Sequence, residues 1–168
     1  MVNETSSMSS PASSGPVDAF LVFRVASVWL AVPAEQVEEI GEQPDVTRVP
    51  LVPDHIPGVM NLRGHAVPLL DLDVFLGLGR ATPQAEAAEE LGGSFRRVAV
   101  AAAGGMTVGL LCDQVRGVVE VARDQQQRPE VVKGERMAEF ALAEVRQEGA
   151  ILVVLDLERL LQAARVQR

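Results

Sequence analysis

The chain has 168 residues and a net charge of −8 at pH 7, a length that corresponds to one domain or two small subdomains. Hydrophobic residues make up 48% of the chain, which is enough for a core and excludes a wholly disordered protein. The acidic balance argues against nucleic-acid binding, which needs a basic face. The single cysteine, Cys112, excludes an intramolecular disulfide, and with only two histidines it cannot form an ordinary structural zinc site.

The first 17 residues are rich in Ser, Pro and Gly and contain neither a basic segment nor an apolar run. They lack the features of a secretory signal, and their composition predicts a flexible tail before a folded domain over residues 18–168. An alternative is that this tail docks as an edge strand. No apolar stretch approaches the roughly 20 residues that a membrane helix requires. We therefore expect a cytoplasmic protein without direct membrane insertion.

The folded part begins with two apolar runs, at residues 20–23 and 29–32, which predict a β-hairpin. Pro33 cannot continue a central strand because it has no amide hydrogen. Apolar residues three apart within residues 34–40 then predict a short helical turn. Residues 64–72 form a strand pattern that ends in Leu-Asp-Leu, where Asp71 can cap the helix that follows.

The second half of the chain repeats this order. Residues 97–103 and 107–112 predict another hairpin, and residues 113–118 take the place of the earlier helical turn. The hairpins match at a shift of 78 residues, as from Phe20 to Val98, and Asp71 matches Asp156 at a shift of 85. Residues 77–93 form a predicted surface connector with one or two helical turns over residues 85–91. Short strands at this spacing predict two similar β-rich subdomains, in the form of small barrels.

The sequence contains none of the common catalytic or phosphate-binding motifs. His65 is predicted on a strand and facing solvent. Cys112 ends an apolar strand, which is typical of a buried and inert cysteine. The remaining catalytic hypothesis is a small β-barrel enzyme that uses His65, Asp71 or Cys112, and it requires these side chains to converge within hydrogen-bond reach. No cofactor and no metal site is predicted.

The most informative segment is residues 58–72, Gly-Val-Met-Asn-Leu-Arg-Gly followed by His-Ala-Val-Pro-Leu-Leu-Asp-Leu. Strand alternation predicts that Asn61 and Arg63 share one face. From the pattern alone, Arg63 could simply be a solvent-exposed charge on a hairpin, as most arginines in this position are. The segment resembles the G-V-x-N-L-R-G-x-x-x-P-[hydrophobic]-x-D-L signature of CheW-like coupling proteins. Flanking segments resemble the same family in the same order over residues 18–165. The chain departs from the family pattern at Asp73, at Cys112 and near residues 140–143.

This resemblance implies a mainly β fold of two five-stranded, SH3-like β-barrel subdomains with short helices. It also implies a non-catalytic cytoplasmic adaptor that couples chemoreceptors to a CheA-type histidine kinase. The implied partners are the regulatory domain of the kinase and the cytoplasmic tip of the receptor, with no nucleic acid and no cofactor. An alternative is a divergent paralogue that binds only the receptor or only the kinase in a non-flagellar signalling array.

Individual positions carry over from the family signature to this chain. Receptor contacts are expected at Val37, Arg63 and Val118, and kinase contacts at Glu39, Ile40 and Gly58. From the residues alone, Val37, Ile40 and Val118 are equally compatible with ordinary core positions. The resemblance therefore predicts two partner surfaces whose apolar members the sequence cannot separate from the core.

Overall fold

The computed structural model describes residues 15–42, 45–79, 96–130 and 134–165. Within these ranges the strands are β1 (Val17–Val25), β2 (Val28–Pro33), β3 (Val37–Glu42), β4 (Val59–Leu62), β5 (His65–Asp71), β6 (Arg97–Ala103), β7 (Met106–Cys112), β8 (Gln114–Ala122), β9 (Ala141–Gln147) and β10 (Ala150–Leu155). The helices there are α1 (Leu72–Leu76), α2 (Glu135–Phe140) and α3 (Leu157–Ala164). The predicted helical turns at 85–91 and most of the predicted tail lie outside the described residues. β1 begins at Val17, one residue inside that predicted tail.

The strands form two five-stranded sheets, in the orders β8-β1-β2-β10-β9 and β3-β6-β7-β5-β4. The two orders become the same when each of the first five strands is replaced by the strand five places later and each of the last five by the strand five places earlier. Each sheet nevertheless takes its hairpin from one half of the chain and its other three strands from the other half. The subdomains are therefore built by an exchange of strands between the repeats, and the predicted mainly β fold is confirmed.

Each sheet curls so far that the segment following the strand at one edge pairs with the strand at the opposite edge. Thr47, which follows β3, pairs with Val59 in β4, and Gln127, which follows β8, pairs with Glu144 in β9. These two bridges occupy equivalent places in the two repeats. Such closure leaves fewer unpaired strand edges and produces the small barrels that the sequence predicts.

Apolar side chains form three clusters, and the largest lies between the two sheets. This inter-sheet core joins side chains of β1, β2, β6 and β7 with those of the three helices. Two smaller clusters line the inner faces of the two sheets. In β1, Phe20 and Val22 point into the first sheet's interior, while Leu21 and Phe23 belong to the inter-sheet core. Since both faces of β1 are buried, its sequence is a continuous apolar run.

Both predicted aspartate caps are present. The Asp71 carboxylate accepts hydrogen bonds from the backbone amides of Asp73 and Val74, and it also accepts one from Arg96 Nη1 at 3.0 Å. Asp156 accepts one from the backbone amide of Arg159. In α3 the predicted apolar stripe is buried against the inter-sheet core. Among the described residues, no helix has both the length and the apolar character to cross a membrane.

The predicted helical turn at residues 34–40 is wrong beyond its first residues. Only Ala34–Gln36 form a 3₁₀ turn, and β3 begins at Val37. In β3, Val37 pairs with Ala101 and Glu39 pairs with Val100, which leaves Glu38 as the extra residue of a β-bulge. A bulge brings apolar residues three apart onto one face of a strand and so imitates helical periodicity.

The equivalent prediction for residues 113–118 is wrong for the same reason. These residues belong mostly to β8, where Val115 pairs with Phe23 and Gly117 pairs with Val22. Arg116 is therefore the extra residue of a second bulge, at the position that matches Glu38 in the first repeat. The edge strands β3 and β8 therefore each contain a bulge, at matching positions of the two repeats.

Candidate partner-binding surface

Arg63 lies in the two-residue turn between β4 and β5 and not on a strand face. The φ angles are 52° at Arg63 and 85° at Gly64, the left-handed pair that a tight hairpin turn requires. Asn61 Oδ1 accepts a hydrogen bond from the Gly64 amide at 2.9 Å. The prediction that Asn61 and Arg63 share one strand face is therefore wrong, because the chain reverses between Leu62 and His65.

The Arg63 side chain projects into solvent, where it meets β3. Its Nη2 lies 3.1 Å from Glu39 Oε2, and the two side chains are 78% and 37% exposed. The structure thus joins a residue expected at the receptor to one expected at the kinase. An ion pair this exposed contributes about 0–1 kcal/mol. The guanidinium can consequently turn to a partner at little cost in stability.

The bulge in β3 divides its predicted contact residues between two faces. Ile40 pairs with Ala99, which belongs to the inter-sheet core, whereas Glu39 pairs with Val100 inside the second sheet. Val37 packs against the inter-sheet core and is half-buried. Ile40 lies on the same face but is 38% exposed. Val37 is therefore partly a core residue, and Ile40 extends that apolar face outward.

Val118 occupies the equivalent place on β8. It pairs with Leu21 of the inter-sheet core, and Val115, three residues earlier, packs against that core. Val118 itself is 63% exposed, so it is not an ordinary core residue. Ile40 and Val118 are matched positions of the two repeats, and each presents an apolar side chain beside the inter-sheet core. The repeat therefore supplies two related apolar surfaces, one on each sheet.

Gly58 is buried where the second sheet closes. A Cβ atom on it would lie 2.3 Å from the Thr47 carbonyl oxygen and 2.8 Å from Val46 Cγ1. Directly beside it, Thr47 and Val59 exchange two backbone hydrogen bonds of 2.9 Å. The glycine permits this close backbone approach, as no larger residue could. It has no side chain to offer a partner, so it would influence kinase binding through the position of its neighbours.

Of the three residues of the enzyme hypothesis, Asp71 and Cys112 have structural roles and His65 is exposed to solvent. Asp71 caps α1 and pairs with Arg96. Cys112 is buried, its Sγ donates to the Arg97 carbonyl at 3.5 Å, and burial raises the pKa of its thiol to about 12. His65 is exposed next to the hairpin turn, as predicted. The part of the chain that the structure describes contains no group of three or more His, Cys, Asp and Glu able to hold a metal ion.

We expect Cys112 to be inert toward a thiol-reactive aromatic disulfide at pH 8 in the folded protein. With a pKa of about 12, roughly one thiol in ten thousand is ionised at that pH, and only the thiolate reacts. Absorbance of the released reagent should rise only when urea unfolds the chain, which provides the control for total thiol. Reaction of the native protein at the rate of free cysteine would contradict both the burial and the raised pKa.

The sequence pattern assigns no role to His55. Its Nε2 donates to the Ala164 carbonyl at 2.8 Å, and its ring centroid lies 5.0 Å from that of Phe75. Its own carbonyl accepts from the Asp71 amide, as the Phe140 carbonyl accepts from the Asp156 amide. The shift of 85 residues that relates the two aspartates also relates His55 to Phe140. That shift is the signal that could have identified it.

Comparison with known proteins connects this geometry to a family. A model of the CheW-like domain matches residues 19–165. Protein FrzA of Myxococcus xanthus is 32% identical over 158 residues, which cover 92% of this chain and 91% of FrzA. Chemotaxis protein CheW of Treponema pallidum is 28% identical over 149 residues, covering 88% of this chain and 84% of that protein.

A solved structure agrees with the fold. The scaffolding protein TtCheW from Thermoanaerobacter tengcongensis superposes with a TM-score of 0.72 at 21% identity, covering 86% of this chain and 92% of that one. The match of the family model over nearly all the residues that form the two sheets establishes that the chain belongs to the CheW-like domain family.

Proposed function

We propose that this protein is a non-catalytic cytoplasmic adaptor that couples chemoreceptors to a CheA-type histidine kinase. The observation that carries the proposal is the pair of bulged edge strands, which present Ile40 and Val118 as exposed apolar residues on two different sheets. An adaptor must contact two partners, and these edge strands offer exposed apolar area on both sheets. The chemotaxis proteins named CheW among its relatives support the same function.

The proposed receptor surface consists of Val37, Val118 and Arg63. A helical receptor tip can lay apolar side chains beside the two valines, which lie on the faces directed toward the inter-sheet core. Arg63 can exchange its exposed pairing with Glu39 for charge-assisted hydrogen bonds to the receptor. These two kinds of contact are complementary, since the apolar ones supply area and the guanidinium supplies direction.

The proposed kinase surface consists of Glu39, Ile40 and Gly58. Ile40 supplies exposed apolar area on β3, and Glu39 supplies a carboxylate at the same edge. Gly58 acts through its backbone, because its close contact with Thr47 holds β4 beside the segment that follows β3. A kinase regulatory domain would pack against this edge of the second sheet.

The test is reconstitution of receptor-dependent kinase activity with and without this chain, together with separate binding measurements for the receptor tip and the kinase regulatory domain. We expect binding to both and kinase activation that depends on the chain. Binding to only one of them would instead establish the alternative of a divergent paralogue in a non-flagellar array. Binding to neither would refute the adaptor function.

Arg63→Glu is expected to weaken receptor binding at least tenfold, since it removes the proposed charge-assisted hydrogen bonds. The free energy of unfolding should change by less than about 1 kcal/mol, because the pair it breaks is exposed. Titration with the receptor tip and urea unfolding measure the two effects. A variant that melts far below the wild type would show that Arg63 has a structural role instead.

The matched control is the double variant Arg63→Glu with Glu39→Arg, which restores the ion pair with its charges exchanged. If Arg63 contacts the receptor, this double variant should remain defective in receptor binding. Recovery of wild-type affinity would mean that the ion pair itself, and not the guanidinium, matters to the receptor.

A further inference from the structure

Two arginines surround the single tryptophan of the chain at one end of the first sheet. The Cζ atom of Arg116 lies 4.2 Å from the centroid of the Trp29 ring, and that of Arg24 lies 6.0 Å away. Arg24 and Trp29 are direct cross-strand partners in β1 and β2. Arg116 reaches the ring from the bulge of β8, two strands away. We name these three residues the Arg24–Trp29–Arg116 cluster.

Within the described residues, neither arginine of this cluster forms an ion pair with a carboxylate. Arg63, Arg96 and Arg123 do form ion pairs there, and what distinguishes Arg24 and Arg116 is that both lie at one aromatic ring. The Nε atom of Arg24 is buried and has no hydrogen-bond acceptor in this part of the chain. Two like charges at one aromatic ring repel each other, and an anion bound there would relieve this repulsion.

The fold does not require this cluster. At the shift of 78 residues, Arg24 and Trp29 match Ala102 and Thr107, which are likewise cross-strand partners. The bulge residue there is Glu38, and the neighbouring Glu39 is paired with Arg63. The second sheet therefore builds the same end with small side chains and an acidic residue at the bulge. Within the described residues, two arginines at one aromatic ring are therefore a feature of the first sheet and not of the second.

We propose that the Arg24–Trp29–Arg116 cluster binds a short acidic peptide segment of a partner protein. Its carboxylates would accept hydrogen bonds from the guanidinium groups, which match carboxylates in shape and charge. An apolar side chain next to them would rest on the half-exposed Trp29 ring. A long polyanion such as nucleic acid is disfavoured by the negative net charge.

A peptide fits better than a free anion because Arg116 is exposed while Arg24 and Trp29 are only partly buried. A small anion would stay hydrated there, whereas a peptide brings several contacts at once. None of the three residues belongs to the expected receptor or kinase contacts. Peptide binding at the cluster can therefore be tested separately from the adaptor function.

Trp29 fluorescence provides a direct readout, since it is the only tryptophan. The probe is a blocked peptide with two adjacent glutamates followed by leucine, and its control carries glutamines in place of the glutamates. We expect a saturable change with the glutamate peptide alone, stronger at low salt. Arg116→Gln should weaken binding about tenfold. The matched control Arg159→Gln, at an exposed position of α3, should leave it within twofold.

Three results would overturn the proposal. The first is equal binding of the glutamine peptide, and the second is an equal loss in Arg116→Gln and Arg159→Gln, which would indicate general charge attraction. The third is saturation of the same signal by inorganic phosphate at the same concentration, which would indicate a small-anion site. Thermal unfolding of Arg116→Gln near the wild-type midpoint, with partial rescue by Arg116→Lys, would tie a binding loss to the guanidinium itself.

Discussion

Replacing Phe75 with alanine is expected to lower the free energy of unfolding by about 4 kcal/mol. Phe75 is 1% exposed in the inter-sheet core. Its ring centroid lies 5.0 Å from that of His55 and 5.6 Å from that of Phe140, so it joins residues from both halves of the chain. Because Phe75 is packed in the core between the two sheets, the surrounding side chains cannot easily fill the cavity that alanine leaves. Urea unfolding followed by circular dichroism measures the loss.

The control for this variant is Val74→Ala, one residue earlier in α1. Val74 is 51% exposed, and its truncation should cost less than about 0.5 kcal/mol. Similar losses in the two variants would mean that the helix, and not the core, determines the effect. A loss below about 1 kcal/mol for Phe75→Ala would contradict a tightly packed core between the sheets.

Gly58→Ala is expected to destabilise the protein by about 3 kcal/mol, as overpacking against a rigid backbone does. The added Cβ would lie 2.3 Å from the Thr47 carbonyl oxygen, and relief requires movement of the Thr47–Val59 bridge that closes the second sheet. The clashing atom is a backbone oxygen, so rotation of a side chain cannot relieve the clash. Thermal and urea unfolding of the purified variant would report the cost.

Gly41→Ala is the matched glycine control. Its Cβ would lie 3.7 Å from Val98 Cγ1, an ordinary contact, so stability should change by less than about 1 kcal/mol. The pair of variants also tests the proposed kinase surface. If Gly58→Ala folds with wild-type stability yet loses kinase binding, Gly58 contacts the partner directly, and its role in closing the sheet is smaller than its geometry indicates.

The main error of the sequence prediction has a specific physical origin. Val37 and Ile40, like Val115 and Val118, are three residues apart, a spacing typical of a helix face. The bulges at Glu38 and Arg116 produce the same spacing in a strand. A bulge depends on how a strand registers with its partner, and that partner lies tens of residues away. Periodicity alone therefore could not separate the two structures.

The candidate surface residues come from the family pattern, which does not give their arrangement. The N-L-R-G segment makes Arg63 a candidate contact residue, and the family pattern does the same for Val37 and Val118. Neither indicates that Arg63 pairs with Glu39, which joins positions 24 residues apart across a turn and an edge strand. The exposure of Ile40 and Val118 likewise depends on which side of each sheet the inter-sheet core occupies.

Short-range interactions account for the parts of the fold that the amino-acid sequence predicts correctly. Interactions between residues within one turn or one strand of each other determine the hairpins β1–β2 and β6–β7 and the aspartate caps at Asp71 and Asp156. They also determine the order of strands that the two halves of the chain share. The assembly of these elements depends on long-range contacts. Strands β3, β4 and β5 join the second hairpin rather than the first, and Gly58 meets Thr47 only after the second sheet has closed. Such pairings arise from burial of apolar faces across the whole chain, which local propensity does not specify.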